Sequence, residues 1–174
     1  AITALLDGAL DRTRYRSFHV RGVTGGDDYG AMREVLTRRL SRAGEKGWEL
    51  PDLLIVDGGK GQLDVALAVL ADLGVTLAAC GLAKERERVS GETAPERVFL
   101  PGQKNAIALR PRSAAWQLFV LVRDEAHRAS NLLRERLGAR RRLRSGLADV
   151  PGVGPKTVTR LLRALGSLRA VRVA

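Results

Sequence analysis

The sequence predicts an α/β fold, a mixed sheet flanked by helices, followed by a small all-α segment. Residues 53–56 are apolar throughout and lead into Asp57, a glycine-rich turn and an amphipathic helix at 63–73. An apolar run bounded by turn residues is typical of a strand that is buried on both faces. Further strands and helices on either side, mixed with strand–helix–strand units, indicate a mixed sheet that helices cover.

The N-terminal residues predict a β-hairpin and then a helix. Two strands, at 1–6 and 13–23, flank Asp7-Gly8, and Asp-Gly is a strong signal for a tight hairpin turn. Apolar residues then recur at helical spacing between residues 31 and 40. Asp27 or Asp28 can cap that helix, and two adjacent carboxylates in a glycine loop are as often caps as metal ligands.

The second half of the sheet and a long helix follow. The pattern predicts, in order, a buried strand, a charged surface loop and a second hairpin, at residues 75–83, 84–96 and 97–109. Ser113 is expected to cap a helix that runs to about Leu137. Its predicted buried stripe consists of Ala115, Leu118, Phe119, Val122, Ala126, Ala129 and Leu133.

Asp57 is the first candidate for chemistry. It would lie at the carboxyl edge of the sheet, where ligands collect in open α/β folds. There it is a candidate metal-binding carboxylate, and Lys60 in the following turn is a candidate DNA contact. The alternative is a tight connection in which Asp57 only caps the next helix. A nucleotide-binding P-loop is excluded because Gln62 stands where a magnesium-binding hydroxyl is required.

The long helix carries an unusually polar block at residues 123–128. Near a phosphate backbone, His127 could transfer a proton, while Arg123 and Arg128 could bind phosphates. A helical histidine beside a core stripe is more often structural or simply solvated, so both interpretations stand at this point.

The composition favours a polyanionic partner. The net charge is +11, which indicates nucleic acid first and an acidic membrane second. Aromatic residues make up only 4%, which argues against a base-stacking platform. No apolar run is long enough to cross a membrane, and no membrane partner is expected. Cys80 is the single cysteine, so an intrachain disulfide is excluded and a reducing, cytoplasmic setting fits.

Two C-terminal features predict contacts with DNA phosphates. Arg140, Arg141 and Arg142 crowd a basic linker, which is either a phosphate-binding segment or a solvated tether. The stretch 150–156 then places Gly152 and Gly154 between two short helical patterns and ends in Lys156. This is the pattern of a helix-hairpin-helix, whose glycines free backbone N–H groups to grip a phosphate without reading bases. An ordinary helical turn is the alternative.

Taken together, five ordered blocks resemble the C-terminal half of UvrC, the incision subunit of the bacterial nucleotide excision repair excinuclease. The blocks are residues 15–18, 26–32, 54–62, 123–128 and 150–156. The resemblance implies an RNase H-like endonuclease domain followed by helix-hairpin-helix motifs. Its parts here would be the nuclease domain at 1–137, the basic linker at 138–146 and the DNA-binding motif at 147–174, an incomplete tandem.

The resemblance also implies a function. The family makes the 5′ incision beside a DNA lesion with a divalent metal, Mg²⁺ or Mn²⁺. It implies that Asp57 is a catalytic carboxylate and metal ligand, that Asp28 is a second acidic position linked to activity, and that His127 is the active-site histidine. The implied partners are double-stranded DNA containing a lesion, the helicase subunit UvrB and the UvrA-dependent complex.

The sequence departs from the family pattern in several places. The family's first catalytic carboxylate lies on a strand that would precede Ala1, and Asp7 falls in a hairpin turn. The segment that binds UvrB also lies outside the chain, the second hairpin motif is incomplete at Ala174, and residues 131–133 are less aromatic and basic than the family pattern. We therefore expect the whole protein to be a nuclease and this chain by itself to be impaired.

Two other classes of function remain open from the sequence. A non-catalytic DNA-binding module with a degenerate nuclease domain would explain the charge and the hairpin motif equally well. It would leave Asp28, Asp57 and His127 without a shared purpose, so their convergence in space would favour the nuclease. An RNA-binding or RNA-cleaving protein is also compatible with the composition.

Overall fold

A computed structural model of the chain describes residues 1–22, 26–84, 96–148, 153–165 and 170. The chain divides into two compact units, Ala1–Ala129 and Ser130–Ala174. The strands and α-helices in chain order are β1 (Leu5–Leu6), β2 (Ala9–Leu10), α1 (Asp28–Leu40), β3 (Leu53–Asp57), α2 (Lys60–Asp72), β4 (Ala78–Lys84), β5 (Glu96–Phe99), β6 (Ile107–Ala108), α3 (Ala114–Ala148) and α4 (Pro155–Leu165). Among the described residues, no helix combines the length and the apolar character that crossing a membrane requires.

The first unit is built on a four-stranded sheet with the order β3-β4-β5-β6. β3 and β4 are parallel and joined through α2, whereas β5 and β6 add in antiparallel orientation. The predicted mixed sheet is confirmed, and so are the strand that ends at Asp57 and the second hairpin. β4 begins at Ala78 rather than at residue 75, because the Val75 N–H closes the turn after α2 on the Leu70 carbonyl.

Helices cover both faces of this sheet. On one face, Val56 and Ala79 pack in a core cluster with buried residues of α1 and α2, including Leu36 and Leu63. On the other face, a second cluster is formed by Cys80, Leu82 and Val98, against which Ile55 and Phe119 pack. Since alternate strand residues point to opposite faces, a strand buried on both faces must be apolar throughout, as 53–56 is.

The N-terminal hairpin is shorter than the sequence predicts. Asp7 and Gly8 both have positive φ, 51° and 79°, the backbone of a two-residue hairpin turn, and join β1 to β2. The predicted second strand at 13–23 is wrong. The carboxylate of Asp11 accepts a hydrogen bond from the Thr13 N–H at 3.0 Å and starts a 3₁₀ turn, Arg12–Arg14, where the strand was expected.

A cluster around Trp48 holds the connection that leads into β3. The guanidinium groups of Arg16, Arg39 and Arg42 lie over its ring, with Cζ at 4.8, 5.5 and 3.8 Å from the ring centroid. Phe18 meets the same ring edge-on at a centroid distance of 6.3 Å. Each cation–π contact is worth about 0.5–2 kcal/mol. The cluster therefore gives residues 15–18, one of the five blocks, a structural role.

The predicted N-caps of α1 and α3 are confirmed. Asp27 Oδ1 accepts a hydrogen bond from the Gly30 N–H at 2.8 Å, so Asp27 is the N-cap of α1 and Asp28 is its first residue. Ser113 Oγ accepts a hydrogen bond from the Trp116 N–H at 3.2 Å at the start of α3. These short polar side chains satisfy backbone donors that a helix start leaves unpaired.

α3 differs from its prediction in length and in its buried residues. It continues through the expected linker to Ala148 rather than ending near Leu137, because Arg, Leu and Ala favour helix and one glycine, Gly138, does not stop it. The domain boundaries stay a prediction. Of the predicted stripe, Ala115 and Leu118 are exposed, whereas Glu125 is buried to 5% exposure.

Glu125 ties α3 to the N-terminal segment. Tyr15 donates its hydroxyl hydrogen to Glu125 Oε1 at 2.8 Å, and Arg128 donates from Nε to Oε2 at 2.7 Å and from Nη2 to Oε1 at 2.5 Å. The bonds from Arg128 and Tyr15 lower the pKa of Glu125 from 4.5 to about 2. Glu125 is therefore a buried carboxylate that stays charged at neutral pH because every donor around it stabilises the charge.

The described part of the second unit contains the end of α3 and α4. Val158 is buried, and its N–H donates to the Gly154 carbonyl at the start of α4. The turn of the predicted helix-hairpin-helix, with Gly152, lies outside the described residues, as does most of the predicted charged loop, at 85–95.

We expect Gly81→Ala to destabilise the first unit, because a Cβ at this position would lie 2.8 Å from the Gly58 carbonyl oxygen and 3.1 Å from that of Gly59. Since both contacts are backbone atoms, the turn after Asp57 must shift, at a cost of about 1–3 kcal/mol. Urea unfolding measures the loss. Gly44→Ala is the control: no described atom lies within 4 Å of its Cβ, so unfolding should be unchanged. Equal stability of the two variants would contradict this packing.

The pKa of Glu125 predicts a specific acid sensitivity. Since the folded-state value, about 2, is below the ordinary 4.5, this carboxylate contributes its full stabilisation above pH 4.5 and loses it as the pH falls towards 2. Glu125→Gln should lower the free energy of unfolding at pH 7 by about 1–3 kcal/mol. Between pH 4.5 and about 2, the free energy of unfolding of this variant should fall less steeply than that of the parent chain. Glu135→Gln, at an exposed position of the same helix, is the control. Parallel pH curves for Glu125→Gln and the parent chain would argue against the assignment.

Candidate active site

The candidate site begins where β3 ends, at the carboxyl edge of the sheet. Asp57 is the last residue of β3, and the Gly58 N–H continues the ladder by donating to the Leu82 carbonyl at 2.8 Å. Gly58 has φ 152°, which favours glycine, and Gly59 is the N-cap of α2. Within the described chain no side chain caps α2, so the alternative in which Asp57 is merely a helix cap is wrong.

His127, on α3, contacts Asp57. Its Nε2 lies 2.8 Å from Asp57 Oδ2, although the two residues are 70 positions apart in the chain. The side chain of His127 is 56% exposed and that of Asp57 is 49% exposed, so solvent and a substrate reach both. The pair combines a carboxylate with an imidazole, the groups that hold metal ions and transfer protons at near-neutral pH.

One turn earlier on α3, Arg123 forms ion pairs within the protein. Its Nη1 pairs with Glu96 Oε1, and its Nη2 lies 2.8 Å from Asp124 Oδ1. Burial acts to lower the pKa of Arg123, but the ion pairs with Asp124 and Glu96 outweigh it and the pKa is raised. Only 16% of the Arg123 side chain is exposed, which favours a structural role over the predicted phosphate contact; the contact itself stays a prediction.

Arg128, the residue after His127, and Lys60, at the start of α2, remain open to solvent. The Arg128 side chain is 51% exposed even though two of its nitrogens bind Glu125. Lys60 is exposed as the first residue of α2. Both predicted phosphate contacts are sterically available and stay predictions.

Asp28 is not part of a metal cluster with Asp57 and His127. Within the described ranges, no group of three or more His, Cys, Asp or Glu side chains is placed to hold a metal ion. Tyr29, the residue after Asp28, does reach α2: its hydroxyl oxygen lies 2.6 Å from where a Cβ of Gly61 would be. The structure thus brings Asp57 and His127 together and leaves Asp28 in the first turn of α1.

The predicted DNA contacts of the second unit are described only in part. Gly154 and Lys156 are exposed at the start of α4. The backbone of Arg140, Arg141 and Arg142 is helical, as the continuation of α3, and Gly152 lies outside the described residues. Their roles stay predictions.

Three polar residues that fix α3 were not identified from the sequence: Tyr15, Glu96 and Glu125. A signal was present for Glu125, because it falls on the helical spacing of the buried stripe, three residues after Val122. Glu96 opens the alternating pattern of β5 and points to the same face as Val98. Buried carboxylates are rare unless they are paired, so such positions predict a partner cation or hydroxyl.

Comparisons with known proteins agree with this architecture. The sequence model of the family described as "UvrC RNAse H endonuclease domain" matches residues 1–130. UvrABC system protein C of Trichlorobacter lovleyi is 46% identical over 98% of this chain and 30% of that protein. The same protein of Syntrophotalea carbinolica is 43% identical over 100% of this chain and 29% of its own length. That of Geobacter metallireducens is 44% identical over 97% of this chain and 28% of its own length.

The chain therefore spans about 30% of the length of the relatives it matches. The family match covers 130 of the 174 residues, and it includes the sheet, Asp57 and His127. A half-exposed aspartate–histidine pair at the carboxyl edge of a mixed sheet fits the nuclease named in that family's description. The chain belongs to the UvrC RNase H endonuclease family.

Proposed function

We propose that this chain carries the active site of a metal-dependent DNA endonuclease, which makes the 5′ incision beside a lesion in bacterial nucleotide excision repair. The observation that carries the proposal is the 2.8 Å contact between His127 and Asp57 at the carboxyl edge of the sheet. The sequence offers each residue as a candidate from its own local pattern, and the fold joins them across 70 positions. Membership in the UvrC family supports the same reaction.

The donors at this edge fit a divalent cation such as Mg²⁺ or Mn²⁺. Such ions take one or two protein carboxylates and fill their remaining positions with water and phosphate oxygens, so a half-exposed Asp57 is a suitable ligand. When bound, the cation polarises the scissile phosphate and activates water. Asp28, in the first turn of α1, is proposed as a second acidic group that supports activity.

His127 supplies the group that transfers a proton. Its contact with Asp57 orients the imidazole ring, as a carboxylate partner commonly does for a catalytic histidine. The proposed role is protonation of the departing 3′ oxygen or removal of a proton from the attacking water, both within reach of a solvent-exposed ring.

The proposed substrate is duplex DNA containing a lesion. A net charge of +11 supplies affinity for phosphates in any sequence, which a repair enzyme requires because lesions occur in any sequence. Lys60 and Arg128 are proposed to bind phosphates near the cut, and Lys156 with the arginines at 140–142 to bind them elsewhere. The name of the relatives, UvrABC system protein C, supports the proposed assembly with UvrB in a UvrA-dependent complex.

A non-catalytic DNA-binding module is the second candidate. One observation favours it: the described residues contain no cluster of three metal-ligating side chains. A module would bind DNA with steep salt dependence, and nothing in it would require the contact between Asp57 and His127.

We expect Asp57→Ala and His127→Ala each to reduce nicking of a lesion-containing duplex at least about 100-fold, since each removes a group that acts on the reacting atoms. The assay uses a protein of family length that carries this chain, with Mg²⁺ or Mn²⁺ and with chelator as the metal-free arm. Asp72→Ala, at an exposed residue paired with Arg33, is the control and should cut normally.

DNA affinity at several salt concentrations separates the two candidates. If Asp57→Ala binds DNA as tightly as the parent protein but does not cut, the nuclease is supported. Nicking that survives Asp57→Ala would reject the proposed role of this site. Salt-dependent binding without cutting by the parent protein would favour the module.

A further inference from the structure

α3 is attached to the sheet by a buried ion pair one turn before His127. Arg123 on α3 pairs with Glu96 on β5, and their side chains are only 16% and 4% exposed. The proposed chemistry uses neither residue. A buried ion pair is costly to form, and apolar residues of the same size often stabilise a protein as well or better. Its presence beside the candidate site therefore calls for a reason other than stability.

The Arg123–Glu96 pair and the His127–Asp57 contact lie on the same side of α3 and on the same face of the sheet. Arg123 and His127 are four residues apart, so their side chains lie on one side of α3. In the sheet, Asp57 is opposite Leu82 and Leu82 is opposite Val98. Glu96 is two residues from Val98 on the same strand, so Glu96 and Asp57 project from the same sheet face.

The two attachments differ in how firmly they can hold the helix. The contact between His127 and Asp57 is exposed, and exposed pairs of this kind contribute little, about 0–1 kcal/mol. The pair between Arg123 and Glu96 is desolvated and directional, so it resists rotation and sliding of α3. Glu96 Oε2 is buried without a hydrogen-bond partner in the described part of the chain, an unfavourable feature that the fold tolerates here.

We propose that Arg123 and Glu96 are positioning residues that fix α3 so that His127 meets Asp57. The inference rests on the proposed nuclease function and assigns no contact with the substrate to either residue. This role differs from the phosphate contact that the sequence predicts for Arg123, and the experiment distinguishes the two. The buried pair of Arg123 and Glu96 fixes the rotation of α3 and its position along its axis. This position brings His127, one turn later, into contact with Asp57.

Kinetics of Arg123→Met in the family-length protein test the proposal. A helix that is free to shift by about 1 Å should lower kcat by about 10- to 100-fold, while KM and the Kd for DNA stay within about twofold, a range set by the absence of any substrate contact. Glu96→Gln should act in the same direction, and Arg123→Lys, which keeps the charge, should recover part of the rate. Arg33→Met is the matched control, an exposed arginine paired with Asp72 between α1 and α2.

A spectroscopic readout on this chain is independent of cutting. The chain has two histidines, so the ring resonances of His127 can be assigned with His19→Gln. Arg123→Met should shift the His127 ring resonances, whereas Arg33→Met should leave them unchanged. If Arg123→Met does not fold, the double variant Glu96→Gln with Arg123→Met removes both charges and should show the same loss of kcat and the same shift.

Two results would overturn the proposal. In the first, Arg123→Met leaves both kcat and the His127 ring spectrum unchanged. In the second, kcat is unchanged but the Kd for DNA rises. The slope of log affinity against log salt concentration also falls in magnitude by about one, as loss of a phosphate contact requires. Failure of the proposed function is recognised separately, because Asp57→Ala would then cut normally while the ring spectrum still tests the positioning.

Discussion

The site depends on how α3 is held against the rest of the first unit, and directional polar contacts hold it. Arg123 pairs with Glu96 on β5, and Glu125 accepts a hydrogen bond from Tyr15 in the N-terminal segment. The apolar stripe of the same helix is only partly buried, since Leu118 is 39% exposed. Directional bonds fix rotation and register more sharply than apolar contacts do, because a hydrogen bond weakens as its distance and angle depart from a narrow range. These bonds therefore fix the position of His127.

The sheet contributes the other half of the site through close backbone packing. Gly81 on β4 leaves room for the carbonyl groups of Gly58 and Gly59, which form the turn after Asp57. The Gly58 N–H adds one more bond to the ladder between β3 and β4. Asp57 is therefore fixed on both sides, by the strand before it and by the packed turn after it. A rigid carboxylate facing a rigid helix requires little reorganisation during a reaction.

Much of the fold could be predicted from local pattern. The apolar run before Asp57 predicts β3, and the short polar residues Asp27 and Ser113 predict the starts of α1 and α3, because these signals act within a few residues. The predicted strand at 13–23 failed because one side chain, that of Asp11, redirects the backbone into a 3₁₀ turn. The end of α3 failed because helix-favouring residues on both sides of Gly138 outweigh the single glycine.

The sequence by itself determined which groups are available: Asp57 at a strand end, His127 in a polar helical block, and a strong excess of positive charge. An apolar run and the turn residues that bound it are local signals, so they place Asp57 at the sheet edge without further information. Only the tertiary structure decided that His127 meets Asp57 and that, among the described residues, Asp28 forms no metal-binding group with them. It also decided that Glu96 pairs with Arg123 across 27 positions and that Glu125 accepts a hydrogen bond from Tyr15 across 110 positions, because such long-range contacts depend on packing that no local pattern contains.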